Sequence, residues 1–299
     1  MTASRPYVDR RVVDLDAAER AAVQAAVRWE LPPPQLMRTG MNAIFIAGAS
    51  VLRVGRSSAP AARSHELATA LLSRGIPVVE PCDEMAADID GFAVTAWRRV
   101  EPVDRPIDWE AVGGAVARVH ELSVDDVPAG YPVPSPTSFP WWDFDELFAE
   151  VRSAIDDPAA VGLAESIDRH RHWRDDVREA TVVCHGDVHP GNVLMTLDGP
   201  LLIDWDLLCT APPGWDHAML VTYASRWGGA PGVYAAFASG YGCSLEADRS
   251  TRQFADLRNV AATLMRVRAG LTDPTAKVEA DRRLRFWRGD PDAPVWQAQ

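Results

Sequence analysis

The sequence predicts a two-lobed α+β protein, and three observations support this fold class. Residues 1–97 alternate short apolar runs with turn residues, which indicates a small antiparallel sheet. Beyond residue 98, long stretches with helical spacing dominate. A length of 299 residues is enough for one domain with two lobes. We therefore predict a small N-terminal sheet lobe over 1–97 and a larger helical C-terminal lobe over 98–299, joined by a hinge near 95–101.

The N-terminal lobe is predicted to contain two helices and several short strands. Asp16 and Glu19 have the spacing of a capping box, so a helix should run from there to about Trp29, where three prolines at 32–34 end it. A second helix is predicted over 61–73, with apolar residues at helical spacing. Strands are predicted at 35–38, 42–47, 51–54, 76–80, 84–88 and 92–97.

The C-terminal lobe is predicted to be mainly helical. Helices are indicated at 109–122, 142–155, 159–178, 214–227, 231–241, 246–269 and 274–287. Strands are indicated near 181–185, 193–197 and 201–204. A loop with five prolines, residues 123–140, separates the first two helices, and loops of this length are usually functional or mobile.

Composition excludes two classes of partner. A net charge of −12 makes nucleic acid an unsuitable partner, and it is compatible with a cationic small molecule. The longest apolar stretch, 43–52, is interrupted by Gly48 and is too short to cross a bilayer. The N-terminus lacks the apolar segment of a signal peptide, and the four cysteines are scattered, so we expect free thiols and a cytoplasmic protein.

One motif carries specific chemistry. Residues 185–192 read His-Gly-Asp-Val-His-Pro-Gly-Asn, and Ile-Asp-Trp-Asp follows at 203–206. The catalytic loop of kinases has an Asp that accepts the proton of the substrate hydroxyl, followed by an Asn and a later Asp that hold magnesium. Asp187, Asn192 and Asp204 have this spacing. We therefore predict phosphoryl transfer, with Asp187 as the catalytic base and Asn192 and Asp204 as metal ligands.

Two other interpretations of the motif stay open at this point. Each of the three residues alone is also typical of a turn or of the end of a strand. In addition, His185, Asp187 and His189 have the composition of a zinc or iron site, as in a metallohydrolase. Such a site needs further ligands, for which His217, near Asp216, is the best candidate, followed by His170 and His172.

The motif resembles that of the aminoglycoside phosphotransferase and choline kinase family of small-molecule kinases. The Gly after the first His and the His-Pro-Gly insert separate this motif from that of protein kinases. The resemblance implies a bilobal, protein-kinase-like fold, with an N-terminal nucleotide-binding lobe and a C-terminal catalytic and substrate lobe. It also implies a reaction that uses Mg²⁺ and ATP, with GTP as an open alternative, to phosphorylate a hydroxyl of an aminoglycoside, amino sugar or similar compound.

The same resemblance assigns nucleotide-binding residues. Gly40 and Asn42 lie in a segment similar to the family's phosphate-covering turn. Arg53 stands where the family has its phosphate-pairing lysine, and Glu66 stands at the place of that lysine's acidic partner. Arginine keeps the charge and can pair with two phosphate oxygens. Because this chain has no lysine before Lys277, a nucleotide-binding protein without turnover is the alternative to an active kinase.

The acceptor site is the least defined part of the sequence. Trp142 lies among aromatic and acidic residues at 141–146, and such a cluster can bind a cationic or sugar-like acceptor. The alternative is that Trp142 packs in the core. Asp206 is predicted either to contact the acceptor or to orient the metal-binding segment. Asp216, in a stretch that resembles the family's sequence after the second metal ligand, is expected to serve structure.

Overall fold

The computed structural model of the chain describes residues 5–297, and its N-terminal part is an antiparallel sheet. The strands are β1 (Val8–Arg10), β2 (Gln35–Thr39), β3 (Ala43–Ala47), β4 (Ser50–Ser57), β5 (Pro81–Ile89) and β6 (Phe92–Arg98). Five of them lie in the order β2-β3-β4-β6-β5, and β1 pairs with β4. Strand β1 was absent from the sequence-based prediction.

Two helices, α1 (Leu15–Arg28) and α2 (Ala62–Ser73), pack with this sheet. Helix α1 turns five buried alanines toward the sheet, and they pack in one cluster with Phe45, Leu52 and Phe92. The capping prediction was wrong by two residues, because Asp14 rather than Asp16 caps α1 by accepting a hydrogen bond from the backbone N–H of Ala17.

The predicted strand at 76–80 does not form, and this segment instead connects the two parts of the molecule. Pro77 has no N–H to donate to a ladder, so a continuous strand is disfavoured there. Its carbonyl accepts a hydrogen bond of 2.8 Å from the backbone N–H of Leu202, and Val78 forms a single parallel bridge with the same residue. Because Leu202 belongs to the C-terminal part, residues 77 and 78 tie the sheet to the segment that carries the motif.

The C-terminal part is helical, as predicted. Its helices are α3 (Trp109–His120), α4 (Phe144–Val151), α5 (Asp157–Arg169), α6 (Trp173–Asp176), α7 (Gly214–Val221), α8 (Tyr223–Arg226), α9 (Val233–Tyr241), α10 (Arg249–Gly270) and α11 (Pro274–Trp287). The predicted helices at 159–178 and 214–227 are each interrupted, since α5 ends before His170 and α7 ends before Thr222. No helix of residues 5–297 is both long and apolar enough to cross a membrane.

Short strands carry the motif residues, and the proline-rich loop packs beside them. The strands are β7 (Val182–Cys184), β8 (Val193–Thr196), β9 (Gly199–Leu202) and β10 (Cys209–Ala211). Strand β7 pairs with β10, and β8 pairs with β9, both antiparallel. In the loop at 123–140, Tyr131, Val133 and Phe139 are buried, so much of this loop belongs to the core.

Glycines allow α3 and α9 to approach each other closely. A Cβ atom added at Gly113 would overlap the carbonyl oxygen of Phe237, and one added at Gly240 would overlap the carbonyl oxygen of Glu110. A Cβ atom added at the neighbouring Gly114 of α3 would overlap nothing. Its nearest atom would be the carbonyl oxygen of Gly240, at an ordinary contact distance of 3.5 Å.

We predict that Gly113→Ala lowers the free energy of unfolding by about 1–3 kcal/mol, because α3 and α9 must separate to accept the methyl group. Gly114→Ala is the matched control and should stabilise the protein by up to about 1 kcal/mol through its helix propensity. Urea unfolding of both variants measures this difference. Equal stabilities would contradict the proposed close packing.

Candidate active site

The motif forms a loop between β7 and β8 whose backbone is held tightly. Gly186 has φ +91°, and a Cβ atom there would overlap the carbonyl oxygen of Leu207, so only glycine fits. Asp216 of α7 accepts hydrogen bonds of 2.8 Å from the backbone N–H groups of His185 and Gly186. These bonds fix the start of the loop, which gives Asp216 the structural position expected from the resemblance.

Asp187 projects from this loop and is surrounded by donors. Its Oδ2 lies 3.4 Å from His189 Nε2 and accepts a hydrogen bond of 3.2 Å from Asn192 Nδ2. Its Oδ1 lies 3.5 Å from Arg258 Nη1. Burial raises the pKa of Asp187, but His189, Arg258 and His185 outweigh this effect and hold the pKa well below its usual range. Asp187 is therefore a carboxylate at neutral pH, able to orient a hydroxyl group.

Asn192 directly precedes β8 and Asp204 follows β9 by two residues, so both lie at the open end of the β8–β9 hairpin. Val193 pairs with Leu202, and the backbone N–H of Ile203 donates to the carbonyl of Asn192 at 3.0 Å. The amide nitrogen of Asn192 donates to the carbonyl and carboxylate oxygens of Asp187, which turns its amide oxygen away from that residue. Asp204 has φ +65° and a side chain 43% exposed. A left-handed backbone conformation is strained for a residue other than glycine, and such strain is common at functional sites.

Arg53 of β4 is buried against residues 203–206, the segment that follows β9. Its Nη2 forms an ion pair with Asp206 Oδ2 and lies 4.0 Å from Asp204 Oδ1, and its side chain is only 15% exposed. Burial lowers the pKa of Arg53, but the two carboxylates raise it above its ordinary value, so Arg53 is charged. Burial also raises the pKa of Asp206, and the Asp204 carboxylate adds to this effect, whereas Arg53 opposes it.

Asn42 joins the turn between β2 and β3 to this ion pair. Its Nδ2 donates to Asp206 Oδ2 at 3.2 Å. In the same turn, Gly40 is exposed and its N–H donates to the carbonyl of Asn42 at 2.9 Å. The structure thus brings Asn42 to the site and places Gly40 on the adjoining surface.

Glu66 does not pair with Arg53, which corrects one expectation. Glu66 is exposed on α2 and forms its ion pair with Arg63, one turn earlier on the same helix. The buried guanidinium of Arg53 takes Asp206 as its acidic partner instead. A desolvated charge requires a partner in direct contact, and Asp206 provides it from the segment 203–206.

Trp142 is a core residue, which corrects the expectation that it contacts an acceptor. Its side chain is 2% exposed, and its ring centroid lies 4.3 Å from that of Trp215 and 5.2 Å from that of Trp173. The core alternative is the one that the structure shows. Asp206 is also buried, and its carboxylate is directed to Arg53 and Asn42.

The histidines do not assemble into a metallohydrolase site. His185 is buried, with Nε2 donating to the carbonyl of Ile203 at 3.1 Å and Nδ1 accepting from the backbone N–H of Asp187. Burial lowers the pKa of His185, which agrees with a neutral ring. His217 pairs with Tyr234, and His170 pairs with Asp256, so these two candidate ligands have other partners.

Two residues of the site were not identified from the sequence. Arg258 of α10 contacts Asp187, and Nε2 of His120 on α3 donates a hydrogen bond of 3.1 Å to Asp216. Burial lowers the pKa of His120, but interactions with Cys184 and Asp216 raise it to about 10. Both residues are far from the motif in sequence, and the sequence of the helices around them does not indicate that they contact it.

Comparisons with known proteins bear on the family and the fold of the chain. The sequence model of the phosphotransferase enzyme family (APH) matches residues 46–288. A search of curated proteins gave no match.

Solved structures share the fold at low identity. The amicoumacin kinase hAmiN, in complex with AMP-PNP, Ca²⁺ and Ami, is 12% identical, with 96% of each chain covered and a TM-score of 0.67. The GDP and kanamycin complex of APH(2")-IIia is 16% identical, covering 91% of this chain and 98% of that one, with a TM-score of 0.67. A choline/ethanolamine kinase family protein from Mesorhizobium loti is 18% identical, covering 94% of this chain and 95% of that one, with a TM-score of 0.64.

We predict that Asp206→Asn destabilises the protein by about 3 kcal/mol, because it leaves the buried charge of Arg53 without its direct partner. Glu66→Gln, which removes an exposed ion pair, should change the stability by less than about 1 kcal/mol. Urea unfolding of the two variants tests the reassignment of the Arg53 partner. A larger loss for Glu66→Gln would show that the pairing described above is wrong.

Proposed function

Because the chain belongs to the phosphotransferase enzyme family, we propose that it transfers the γ-phosphate of a nucleoside triphosphate to a hydroxyl group of a small molecule. The observation that carries this proposal is that Asn192 donates to the Asp187 carboxylate, while Asn192 and Asp204 both lie at the open end of the β8–β9 hairpin. A base and two oxygen ligands for a divalent cation are the parts that phosphoryl transfer requires.

In the proposed reaction, Asp187 orients the acceptor hydroxyl and accepts its proton. The hydroxyl oxygen forms a bond to the γ-phosphorus, while the bond from that phosphorus to the β–γ bridging oxygen breaks. The nucleoside diphosphate leaves with the electron pair of the broken bond. Because His189 and Arg258 keep Asp187 ionised, the carboxylate is ready to accept the proton as the new bond forms.

Asn192 and Asp204 are the residues that would hold Mg²⁺. A neutral amide oxygen and an exposed carboxylate suit this hard cation, which usually binds through few protein ligands together with substrate phosphates. When bound, Mg²⁺ neutralises charge on the phosphate oxygens. The orientation of the Asn192 amide, set by its two hydrogen bonds to Asp187, supports this assignment.

Arg53 is the proposed phosphate partner from the N-terminal sheet. A guanidinium group has five N–H donors, so pairing with Asp206 leaves donors for phosphate oxygens. The turn with Gly40 and Asn42 would cover the phosphates, and Glu66 takes no part in the proposed arrangement because it pairs with Arg63. We propose ATP as the donor and retain GTP for testing, since similar structures were solved with AMP-PNP or GDP.

The acceptor is proposed only as a hydroxyl compound. A cationic acceptor was expected from Trp142 and Asp206, but both side chains are buried and have other partners. The similar structures include a kanamycin complex and a member of the choline/ethanolamine kinase family. A panel of aminoglycosides, amino sugars, choline-like amines and neutral nucleosides therefore covers the relevant chemistry.

We predict magnesium-dependent release of diphosphate nucleotide from ATP or GTP with at least one member of this panel. Asp187→Asn should lower the turnover by about 10²-fold or more, because the acceptor proton loses its base, while nucleotide affinity stays within about threefold. Asp198→Asn, on the exposed turn of the same hairpin, is the control and should retain activity.

Undiminished turnover in Asp187→Asn would contradict the assignment of the base. Nucleotide binding without turnover across the panel would instead favour the non-catalytic alternative. Loss of the activity in EDTA and its return with added Mg²⁺ would support the metal assignment.

A further inference from the structure

We propose that Arg258 of α10 is a positioning residue that sets the orientation of the Asp187 carboxylate during phosphoryl transfer. This inference rests on the proposed function, and it adds a residue that lies 71 positions from Asp187 in the sequence. Arg258 does not belong to the motif. Its side chain reaches the catalytic loop from α10, a helix that comes later in the chain.

Arg258 contacts the loop at two points and α7 at a third. Its Nη2 donates to the carbonyl of Gly186 at 2.7 Å and to the carbonyl of Trp215 at 3.4 Å. Its Nη1 lies 3.5 Å from Asp187 Oδ1. The guanidinium carbon is 4.9 Å from the ring centroid of Trp215, and the side chain is only 13% exposed. A long, flexible side chain is therefore held in one place by contacts on several sides.

The peptide group before Asp187 is the element that Arg258 controls. The N–H of Gly186 is bound by Asp216, and the carbonyl of Gly186 accepts bonds from Arg258 and from Trp215 Nε1 at 3.1 Å. Gly186 has a left-handed backbone conformation, which is permissive for glycine and needs external contacts to stay in one state. Since the carbonyl of Gly186 belongs to the peptide that joins it to Asp187, its direction determines where the Asp187 side chain begins.

The carboxylate itself lies between two groups of donors. Asn192 and His189 are near Oδ2, and Arg258 is near Oδ1 on the other side. This arrangement restricts rotation of the carboxylate. The 3.5 Å separation is long for a hydrogen bond, so Oδ1 keeps capacity to accept the acceptor hydroxyl.

The geometry requires a planar fork, and arginine is the side chain that has one. Lysine places a single point charge at the end of its chain and cannot contact the Gly186 and Trp215 carbonyls and the carboxylate from two fixed nitrogens. A residue that served only to fill space beside Trp215 would need neither the charge nor the fork. A positioning role and a space-filling role for Arg258 therefore predict different results when the side chain is removed. Only in the positioning role should guanidinium supplied from solution restore activity.

The test compares Arg258→Ala, Arg258→Lys and the wild-type protein, with the acceptor found in the panel. Arg252→Ala, an exposed arginine of the same helix, is the control and should behave as the wild type. We expect kcat of Arg258→Ala to fall about 10²-fold, the usual cost of a misplaced catalytic group, while the KM for nucleotide changes less than about threefold. Arg258→Lys should recover only part of this loss. Guanidinium chloride at a concentration that does not unfold the variant should raise the kcat of Arg258→Ala, and sodium chloride at equal ionic strength should not.

Turnover of Arg258→Ala within about twofold of the wild type would overturn the inference while leaving the proposed function intact. So would a loss that guanidinium does not reverse and that Arg258→Lys restores completely, since a point charge would then suffice. Absence of turnover in the wild type would overturn the proposed function and this inference with it. Circular dichroism and thermal unfolding of each variant separate a loss of fold from a loss of positioning.

Discussion

The buried ion pair between Arg53 and Asp206 is the interaction on which the site depends. Arg53 lies on β4, in register with Ile44 on one side and Thr95 on the other, so its position is fixed by the centre of the sheet. Asp206 follows the proposed metal ligand Asp204 by two residues. A buried guanidinium is costly unless a carboxylate contacts it, so the segment 203–206 must stay against the sheet. The side chain of Asn42 and the backbone N–H of Tyr7 both donate to Asp206. The β2–β3 turn and the residue before β1 are therefore also held against this segment.

A second anchor holds the catalytic loop from the helical side. Asp216 accepts hydrogen bonds from two backbone N–H groups of the loop, and His120 donates to the same carboxylate within the core. Arg258 approaches the same loop from α10. Asp187 is thus positioned by helices, whereas Arg53 is positioned by the sheet. Phosphoryl transfer depends mainly on position and charge, so rigid support from both parts of the molecule is what the proposed chemistry needs.

Sequence reasoning succeeded where the signal was local. The family and the α+β fold were predicted correctly, because the spacing of Asp187, Asn192 and Asp204 lies within one short stretch of chain. Sequence reasoning failed where contacts between residues far apart in the sequence determine a side chain's partner. Asp206 and Glu66 both have carboxylate side chains. Only the fold shows that Asp206, 153 positions from Arg53, is the residue that pairs with it. Trp142 lies among acids that suggested a binding site, yet its ring packs against Trp215. Arg258 sits on a helix whose sequence gives no sign of its partner.

The most direct test of the central ion pair is a double-mutant cycle on the free energy of unfolding, with Arg53→Gln, Asp206→Asn and the double variant. If the pair holds the sheet to the segment 203–206, each single change leaves a buried group without its partner, and the double variant is more stable than the sum of the two losses predicts. We expect a coupling energy of about 2 kcal/mol or more. Losses that add within about 0.5 kcal/mol would contradict this account, because they would show that Arg53 and Asp206 act independently.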